Sequence, residues 1–279
     1  MLKVLNITSY YMVVYAGDNY SGLIHEMPGL QFNHAILCVP VEKDTIFIDC
    51  TLKGVPAGYL GTFTQGREAL LVDNDSSRII KLPELKTDEV KEFSHHRYNL
   101  TAENNCTVNL SSRIRGYKFD YLSTAEEYLN HNDLESLFRD RYFNFSSFEL
   151  KNRKLEKLPK DQTEVELNAD LDLHIFLKAY GNEFGFSVYP LSIAQYEKPA
   201  ERKLPLYFQF PLYKSDLLEY TINPPLKAGK LPEPIMINSR FGEYSLLPEI
   251  EGNVISFKRE FIIYKGEYSL IDYPRFFFI

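Results

Sequence analysis

Short apolar segments separated by turns are the feature that most constrains the fold of this chain. Beyond residue 93, turn-forming residues recur at intervals of roughly ten residues, which is typical of a β-sandwich or a β-barrel. Tyr and Phe pack well on pleated strands, and the sequence contains 20 of each. We therefore predict a mainly β (α+β) chain, whose 279 residues suggest one large or two modest domains.

The first third of the sequence predicts an antiparallel sheet. Residues 1–6 have the pattern of the last turn of a helix. The segments that follow are predicted strands, at 9–16, 31–41, 45–51, 67–72 and 78–83. The strand at 9–16 is apolar on both faces and is therefore expected to be central. Only a few polar residues separate the second and third strands, so these two are predicted to form a hairpin.

A charged stretch at 84–93 predicts a boundary between two domains, 1–85 and 86–279. The second domain is predicted to be sandwich-like, with strands that include 106–119 and the C-terminal segment 273–279. Residues 123–143 form the clearest helical pattern. Ser123 followed by Glu126 has the spacing of a capping box, which predicts that the helix begins there.

Two residues of the hairpin can carry chemistry. His34 lies at the start of one strand and Asp49 near the end of the next, and these positions are neighbours in an antiparallel pair. Counting outward from the turn near residue 43 predicts a diagonal or bulged pairing. A carboxylate there can fix the tautomer of the imidazole and stabilise its charged form, as in a nucleophilic triad.

The spacing alone leaves a second interpretation open. A histidine on an apolar strand is often only a packed residue, and an aspartate at a strand end often caps a turn. Asn33 is a candidate neighbour of the site, or a strand-edge residue that bonds only to backbone.

The segments SYYMVVYAG, FNHAILCVPV, DTIFIDCT, PAGYLG and GREALLVD resemble the second half of a bacterial transglutaminase-like domain. The segment from FGEYSLLPEI to the C-terminus resembles the β-rich domain that follows in the same multidomain family. The resemblance implies a Cys-His-Asp site in a papain-like fold, with His34 as general base and Asp49 as its orienter. It assigns no role to Tyr59 or Arg67.

The sequence departs from the family at the nucleophile. The family's cysteine begins a helix that precedes the first strand, and only residues 2–6 match the end of that helix. We therefore expect a truncated domain that lacks its nucleophile helix. Cys38, Cys50 and Cys106 are each interpreted as buried small apolar residues. Cys38 is four residues from His34 on one strand, about 13 Å at 3.3 Å per residue, too far for proton transfer.

A sheet without that helix would leave one apolar face uncovered. We expect a neighbouring chain or a rearranged segment to cover it, and a homodimer through this face is the concrete form of that expectation.

The sequence gives little sign of other binding sites. The net charge is −7 with no basic stripe, so a nucleic-acid partner is not expected. No apolar run is long enough to span a membrane. Adjacent His95 and His96 point to opposite faces of a strand and are interpreted as a solvated strand end. We predict no metal and no cofactor.

Three functions remain open at this stage. The chain is an inactive transglutaminase-like module, a β module that binds a peptide or a glycan, or a fragment of an active cysteine protease or transglutaminase whose nucleophile lies upstream. The family resemblance implies a peptide or protein substrate and a periplasmic or cell-surface location for the parent protein.

Overall fold

The structure is a computed structural model. It describes residues 2–17, 20–27, 29–42, 44–51, 55–101, 104–143, 145, 147–159, 162–174, 176–181, 183–191 and 196–277. The mainly β class predicted from the sequence is confirmed by four sheets and three short α-helices within these ranges.

The first sheet has five strands, all paired antiparallel. They are β1 Tyr10–Val14, β2 His34–Val41, β3 Asp44–Ile48, β4 Glu68–Val72 and β5 Arg78–Lys81, after a 3-10 helix at Leu2–Leu5. Their order is β3-β2-β1-β4-β5, so β1 is central as predicted. The predicted turn centre, residue 43, lies outside the described residues. The pairing on either side of it joins Val41 to Asp44 and Leu37 to Ile48.

The two faces of this sheet differ in burial. One face is packed by apolar side chains such as Met12, Ile36 and Leu71, which are at most 2% exposed. Strand alternation places Tyr11, Ile46, Val72 and Ile79 on the opposite face, and all four are exposed. Val39 lies on this second face as well and is buried, so the described residues leave the face only partly exposed. The homodimer through this face stays a prediction.

The remaining strands form one large sheet and two small ones. The large sheet contains β6 Lys91–Leu100, β7 Asn105–Ile114, β8 Phe148–Lys157, β9 Val165–His174, β13 Leu212–Ile222, β14 Ile235–Asn238, β15 Gly242–Glu251 and β16 Val254–Ile263. The small pairs are β10 Lys178–Tyr180 with β11 Glu183–Gly185, and β12 Leu206–Phe208 with β17 Gly266–Tyr268. The order of the large sheet is β14-β15-β16-β13-β6-β7-β9-β8.

One pairing in the large sheet is parallel. β6 runs alongside β13, with Lys91 opposite Tyr213 and Leu100 opposite Ile222. The other pairings are antiparallel. Because parallel strands need a long connection, residues about 120 positions apart in the sequence become neighbours.

Helices cover the inner face of the large sheet. They are α1 Tyr117–Tyr128 and α2 His131–Leu137, which continues as one π-helical turn, Phe138–Tyr142. The core between the helices and the sheet includes Phe119 and Phe138 from the helical region and Tyr98 and Tyr220 from the strands. The rings of Tyr98 and Tyr220 are stacked, with centroids 4.3 Å apart. Burial of aromatic side chains of this size is a dominant contribution to stability.

The predicted start of the helical region is wrong. α1 begins six residues before Ser123, after Gly116, whose φ of +61° is a conformation that L side chains rarely adopt. Ser123 therefore lies inside the helix, and β7 ends at Ile114, so residues 117–119 are not strand. The side-chain cap lies at α2, where Asn130 accepts a hydrogen bond from the Asp133 backbone N–H.

The predicted C-terminal strand is also wrong for its described part. Residues Tyr273–Phe277 form a short helix, α3, and Tyr273 and Phe276 pack with Phe241 and Tyr268 in a small aromatic core. The aromatic run favours a strand locally, but Pro274 fits the first turn of a helix, where its missing N–H needs no partner.

His95 and His96 do not form a solvated strand end. They lie within β6 and point to opposite faces, as predicted, but His95 pairs with Glu219 at 2.5 Å and His96 is only 2% exposed. Nδ1 of His96 lies 3.1 Å from the Tyr98 hydroxyl. Burial, followed by the nearby Arg259 cation, lowers the pKa of His96 to about 3.

Acidification is expected to destabilise the protein through His96. Between pH 6.5 and 3 the unfolded chain binds a proton at this imidazole and the folded chain does not, so stability is lost as the pH falls. Urea unfolding of wild type should lose about 2 kcal/mol more between pH 7 and 5 than His96→Gln loses. His25→Gln, at a half-exposed imidazole, is the control. Parallel pH profiles for wild type and His96→Gln would contradict the prediction.

Candidate functional site

The candidate site lies at one end of the β2–β3 hairpin. β2 begins at His34, which pairs with Val14 of β1, and Asp49 immediately follows the last residue of β3. Continuing the hairpin register places Asp49 opposite Ile36, two residues from His34. The two side chains therefore meet diagonally, and His34 Nε2 lies 2.7 Å from Asp49 Oδ2.

The other carboxylate oxygen of Asp49, Oδ1, is bound by Thr51 and fixes the orientation of the side chain. Oδ1 accepts hydrogen bonds from the Thr51 backbone N–H at 2.8 Å and from the Thr51 hydroxyl at 2.7 Å. The side chain of Asp49 is fully buried. An aspartate that bonds to the backbone two residues on forms a local turn, which explains why the chain bends directly after β3.

This arrangement sets the tautomer of His34. A carboxylate accepts but does not donate, so Nε2 carries the proton of the neutral imidazole and Nδ1 keeps its lone pair. Among the described residues Nδ1 has no hydrogen-bond partner, and the His34 side chain is 18% exposed. The imidazole can therefore accept a proton from a group that approaches Nδ1.

Phe63 borders the imidazole on one side. Its ring meets the His34 ring edge to face, with centroids 6.2 Å apart. The Phe63 carbonyl accepts a hydrogen bond from the Gly17 N–H at 3.2 Å. The 59–66 loop thus packs beside the histidine and ties it to the chain that follows β1.

Asn33 bonds to backbone and not to the His34–Asp49 pair. Its Oδ1 accepts from the Ala16 N–H at 2.6 Å and its Nδ2 donates to the Ala16 carbonyl at 2.9 Å. These two bonds fasten the end of β1 to the residue before His34. Asn33 therefore positions the backbone beside the site without contacting the pair through a described hydrogen bond.

Arg67, to which the sequence assigned no role, connects the first sheet to the C-terminal region. Its guanidinium donates to the carbonyls of Tyr15 at 2.7 Å and Gly17 at 2.5 Å, and to Gln209 Oε1 at 2.6 Å. It is 2% exposed. A buried arginine must have its donors satisfied, so this position fixes the Tyr15–Gly17 segment.

Asp120 holds the loop that carries Phe63. From α1 it accepts the Tyr59 hydroxyl at 2.5 Å, the Thr62 N–H at 2.7 Å and the Thr62 hydroxyl at 2.6 Å. Burial is the largest effect on this carboxyl and raises its pKa. Sequence reasoning missed Asp120 because it falls between the predicted strand at 106–119 and the predicted helix at 123–143. An acidic residue between aromatics, in KFDY, was the only local signal.

The three thiols are not paired with one another. Cys38 and Cys106 are buried, as predicted, and burial raises both pKa values, that of Cys106 to about 12. The prediction for Cys50 is wrong, because it is exposed. It lies just beyond β3, in the turn after Asp49, where no apolar layer covers it. Cys38 pairs with Phe47 across the hairpin. It therefore lies four residues along β2 from His34.

Metal and membrane features are absent from the described ranges. The described residues contain no group of three or more His, Cys, Asp or Glu side chains that could hold a metal ion. No helix among them is long and apolar enough to cross a lipid bilayer.

Comparisons with known proteins give one family match. Residues 182–277 match the sequence model of a domain of unknown function with a solved structure, DUF3858. This region supplies β13–β16 to the large sheet, whereas β6–β9 precede it. A comparison with curated proteins yields no match.

The chain is also similar to a crystal structure described as a "putative protease" from Parabacteroides distasonis. The TM-score is 0.47 and the sequence identity 12%, over 98% of this chain and 37% of that chain. This chain therefore spans little more than a third of that protein's length.

Proposed function

We propose that His34 and Asp49 are the base and the orienter of a transglutaminase-like Cys-His-Asp site, and that this chain alone does not carry the nucleophile. The observation that supports the proposal is the 2.7 Å contact between His34 Nε2 and the buried Asp49 carboxylate, which leaves Nδ1 able to accept a proton. Neither a packed histidine nor a turn-capping aspartate requires this pairing.

The chemistry that fits the site is acyl transfer or amide hydrolysis. A thiol would lose its proton to Nδ1 of His34, and the thiolate would attack the carbonyl carbon of a carboxamide. The imidazolium, stabilised by Asp49, would then protonate the departing amine. The thiol would come from residues outside these 279, because two of the chain's own cysteines are buried with raised pKa values, and Cys50 lies in the turn after Asp49 with no described hydrogen bond to His34.

The base–orienter pair is tested by nitrogen-detected NMR of the histidine rings. We expect His34 to show a proton on Nε2 that exchanges slowly with water, and a bare Nδ1. Asp49→Ala should abolish the slow exchange. His25, 3.3 Å from Glu68 and about half exposed, is the internal control, because Glu68→Ala should change little there. A proton on Nδ1 of His34 would sink the assignment of this residue as base.

The absence of a nucleophile is tested by assays on glutamine-containing peptides. We expect neither ammonia release nor amine transfer from the 279-residue protein, with or without iodoacetamide. Iodoacetamide-sensitive turnover that disappears in His34→Ala would mean that one of the three cysteines reaches the imidazole.

A cavity favours binding as a second candidate function. It has a volume of about 610 Å³ and lies between β15, β16 and α3, with walls that include Phe241, Tyr244, Phe261 and Phe276. Apolar walls of this extent suit an aromatic or aliphatic peptide segment better than a glycan, whose hydroxyls need polar partners. If hydrophobic dipeptides leave the NMR signals of Phe241 and Phe261 unchanged, this candidate is removed.

A further inference from the structure

The two edges of the large sheet differ in their side chains. β8 forms one edge and carries charged residues along its length, in the segment FELKNRKLEK, with a bulge between Leu150 and Asn152. Charges and bulges are features that protect an edge strand from pairing with another chain. β14 forms the other edge, and it has the uncharged sequence IMIN and an unbroken register with β15. The β14 edge is therefore the one on which a further strand can pair.

The hydrogen-bond pattern of β14 identifies the groups that face outward. Directly after this strand, the Ser239 N–H donates to the Gly242 carbonyl at 3.0 Å. Opposite residues of an antiparallel pair alternate between bonded and non-bonded positions, so Ile237 bonds to β15 whereas Met236 and Asn238 do not. The backbone N–H and C=O groups of Met236 and Asn238 therefore point to the free edge. No strand among the described residues pairs with β14 on that side.

The apolar cavity of about 610 Å³ lies beside this edge, on one face of the sheet. Ile237 of β14 lines it, and so do Tyr244 and Leu246 of β15. Ile235 shares a face with Ile237 by strand alternation, whereas Met236 points to the opposite face and is 73% exposed. A strand added beside β14 would present every second side chain on the face that holds the cavity.

We propose that β14 binds an extended peptide by strand addition, with one aromatic or large aliphatic side chain of that peptide in the cavity. This inference rests on the second candidate function, the binding of an apolar peptide segment, and adds where the peptide backbone binds. Main-chain hydrogen bonds to Met236 and Asn238 would supply affinity that does not depend on the peptide's sequence. The cavity would select the side chain.

A second copy of this chain is a poorer occupant of the edge. Two β14 strands paired about a twofold axis would bring together only four residues from each copy. A stable interface between two proteins takes about 20–30 residues from each side. A peptide gains more from the same edge, because it can also bury an apolar side chain in the cavity.

The test uses a capped pentapeptide that has phenylalanine at its centre and threonine at the other positions. Added to the 279-residue protein, it should shift the NMR signals of the Met236 and Asn238 amides together with those of the Phe241 and Phe261 rings. The same peptide with alanine at its centre should bind at least about 10-fold more weakly, because its side chain leaves the cavity unfilled. If no signal shifts, both strand addition and the second candidate function are overturned.

Two substitutions at Met236 separate strand addition from binding in the cavity. Met236→Pro removes the N–H that points to the free edge and breaks no bond to β15, and proline is tolerated at such edge positions. It should weaken binding of the pentapeptide by at least about 10-fold. Met236→Ala keeps the N–H and changes a side chain that points away from the cavity. This matched control should bind within about 2-fold of wild type.

Peptides methylated on backbone nitrogen test the same pairing on unmodified protein. Alternate nitrogens of an added strand face β14. Methylation of the phenylalanine nitrogen and methylation of both neighbouring threonine nitrogens should therefore differ, with binding lost for one peptide and kept for the other. Equal effects of the two methylated peptides would overturn strand addition.

Cavity binding without strand addition would give a different result. The Phe241 and Phe261 rings would still shift, and Met236→Pro would bind the pentapeptide as tightly as wild type. That result would overturn strand addition and leave the second candidate function standing. Sedimentation of the free protein tests the remaining occupant, because a dimer that Met236→Pro dissociates would assign the edge to a second copy and overturn the proposal.

Discussion

Replacing Asp216 by alanine is expected to lower the free energy of unfolding by about 3–5 kcal/mol. The substitution keeps the Arg259 guanidinium but removes the carboxylate that accepts two of its hydrogen bonds. Among the described residues, Arg259 would then keep its hydrogen bond to the Tyr189 carbonyl, at 2.6 Å. A buried cation without its counter-ion is costly because neither water nor a carboxylate replaces the lost interaction.

The intact ion pair is not expected to be a large net gain. Burial raises the pKa of Asp216, and this effect outweighs the lowering by Arg259. Removing both charges should therefore cost much less than removing one. We expect the double variant Asp216→Leu with Arg259→Met to unfold within about 2 kcal/mol of wild type.

Urea unfolding of four proteins checks this prediction. Glu249→Ala is the matched control, since its pair with Lys258 is more than half exposed on both sides and exposed pairs contribute less than about 1 kcal/mol. Similar losses for Asp216→Ala and Glu249→Ala, or a double variant that is less stable than Asp216→Ala, would contradict the expected role of burial.

The parts of the structure that sequence could predict depend on local pairing. The hairpin joins residues only a few positions apart, so the turn near residue 43 fixes its register and places Asp49 diagonal to His34. Alternation along β6 likewise gives the opposite directions of His95 and His96. Neither inference needs knowledge of distant segments.

The parts that sequence could not predict depend on distant contacts. His96 is buried because β13, more than a hundred residues later, runs parallel to β6 and because the 186–191 segment covers it. The false helix start at Ser123 has a related cause, since the capping-box spacing also occurs inside helices. Gly116 starts α1 through its backbone conformation, which leaves no side-chain signal.

The same limit applies to the residues around the candidate site. His34 and Asp49 stand out because their types and spacing suggest chemistry. Arg67 and Asp120 hold segments near the site that folding brings to them, Tyr15–Gly17 in one case and the 59–62 loop in the other. A single sequence gives no means to pair these positions.

Replacing Asp120 by alanine is the second change with a large expected effect, about 3 kcal/mol in the free energy of unfolding. Three donors from Tyr59 and Thr62 converge on this carboxylate, and each buried donor left without an acceptor costs about 1–3 kcal/mol. The full sum is not expected, because the Tyr59 and Thr62 hydroxyls can turn toward other partners and only the backbone N–H is fixed.

Asparagine at this position separates hydrogen bonding from charge. Its amide oxygen can replace Oδ2 and accept both Thr62 donors, while its NH₂ group faces the Tyr59 hydroxyl, which can turn to accept. Burial raises the pKa of the native carboxyl, which means that its charge is costly at this position, and a neutral amide avoids that cost. Asp120→Asn is therefore expected to stay within about 1 kcal/mol of wild type. Asp140→Ala, at an exposed carboxylate that bonds only Ser136 among described residues, is the control.

The effect of Asp120→Ala should reach His34. The Asp120 bonds hold the loop whose Phe63 ring packs against the imidazole, so their loss should speed hydrogen exchange at the Thr62 and Gln65 amides and at Nε2 of His34. Exchange measured on the folded variant separates this local loosening from global unfolding. Faster exchange at the loop with an unchanged His34 would show that the hairpin alone holds the pair. Faster exchange at both would mean that α1, which belongs to the large sheet's layer, helps to order the base of the proposed site.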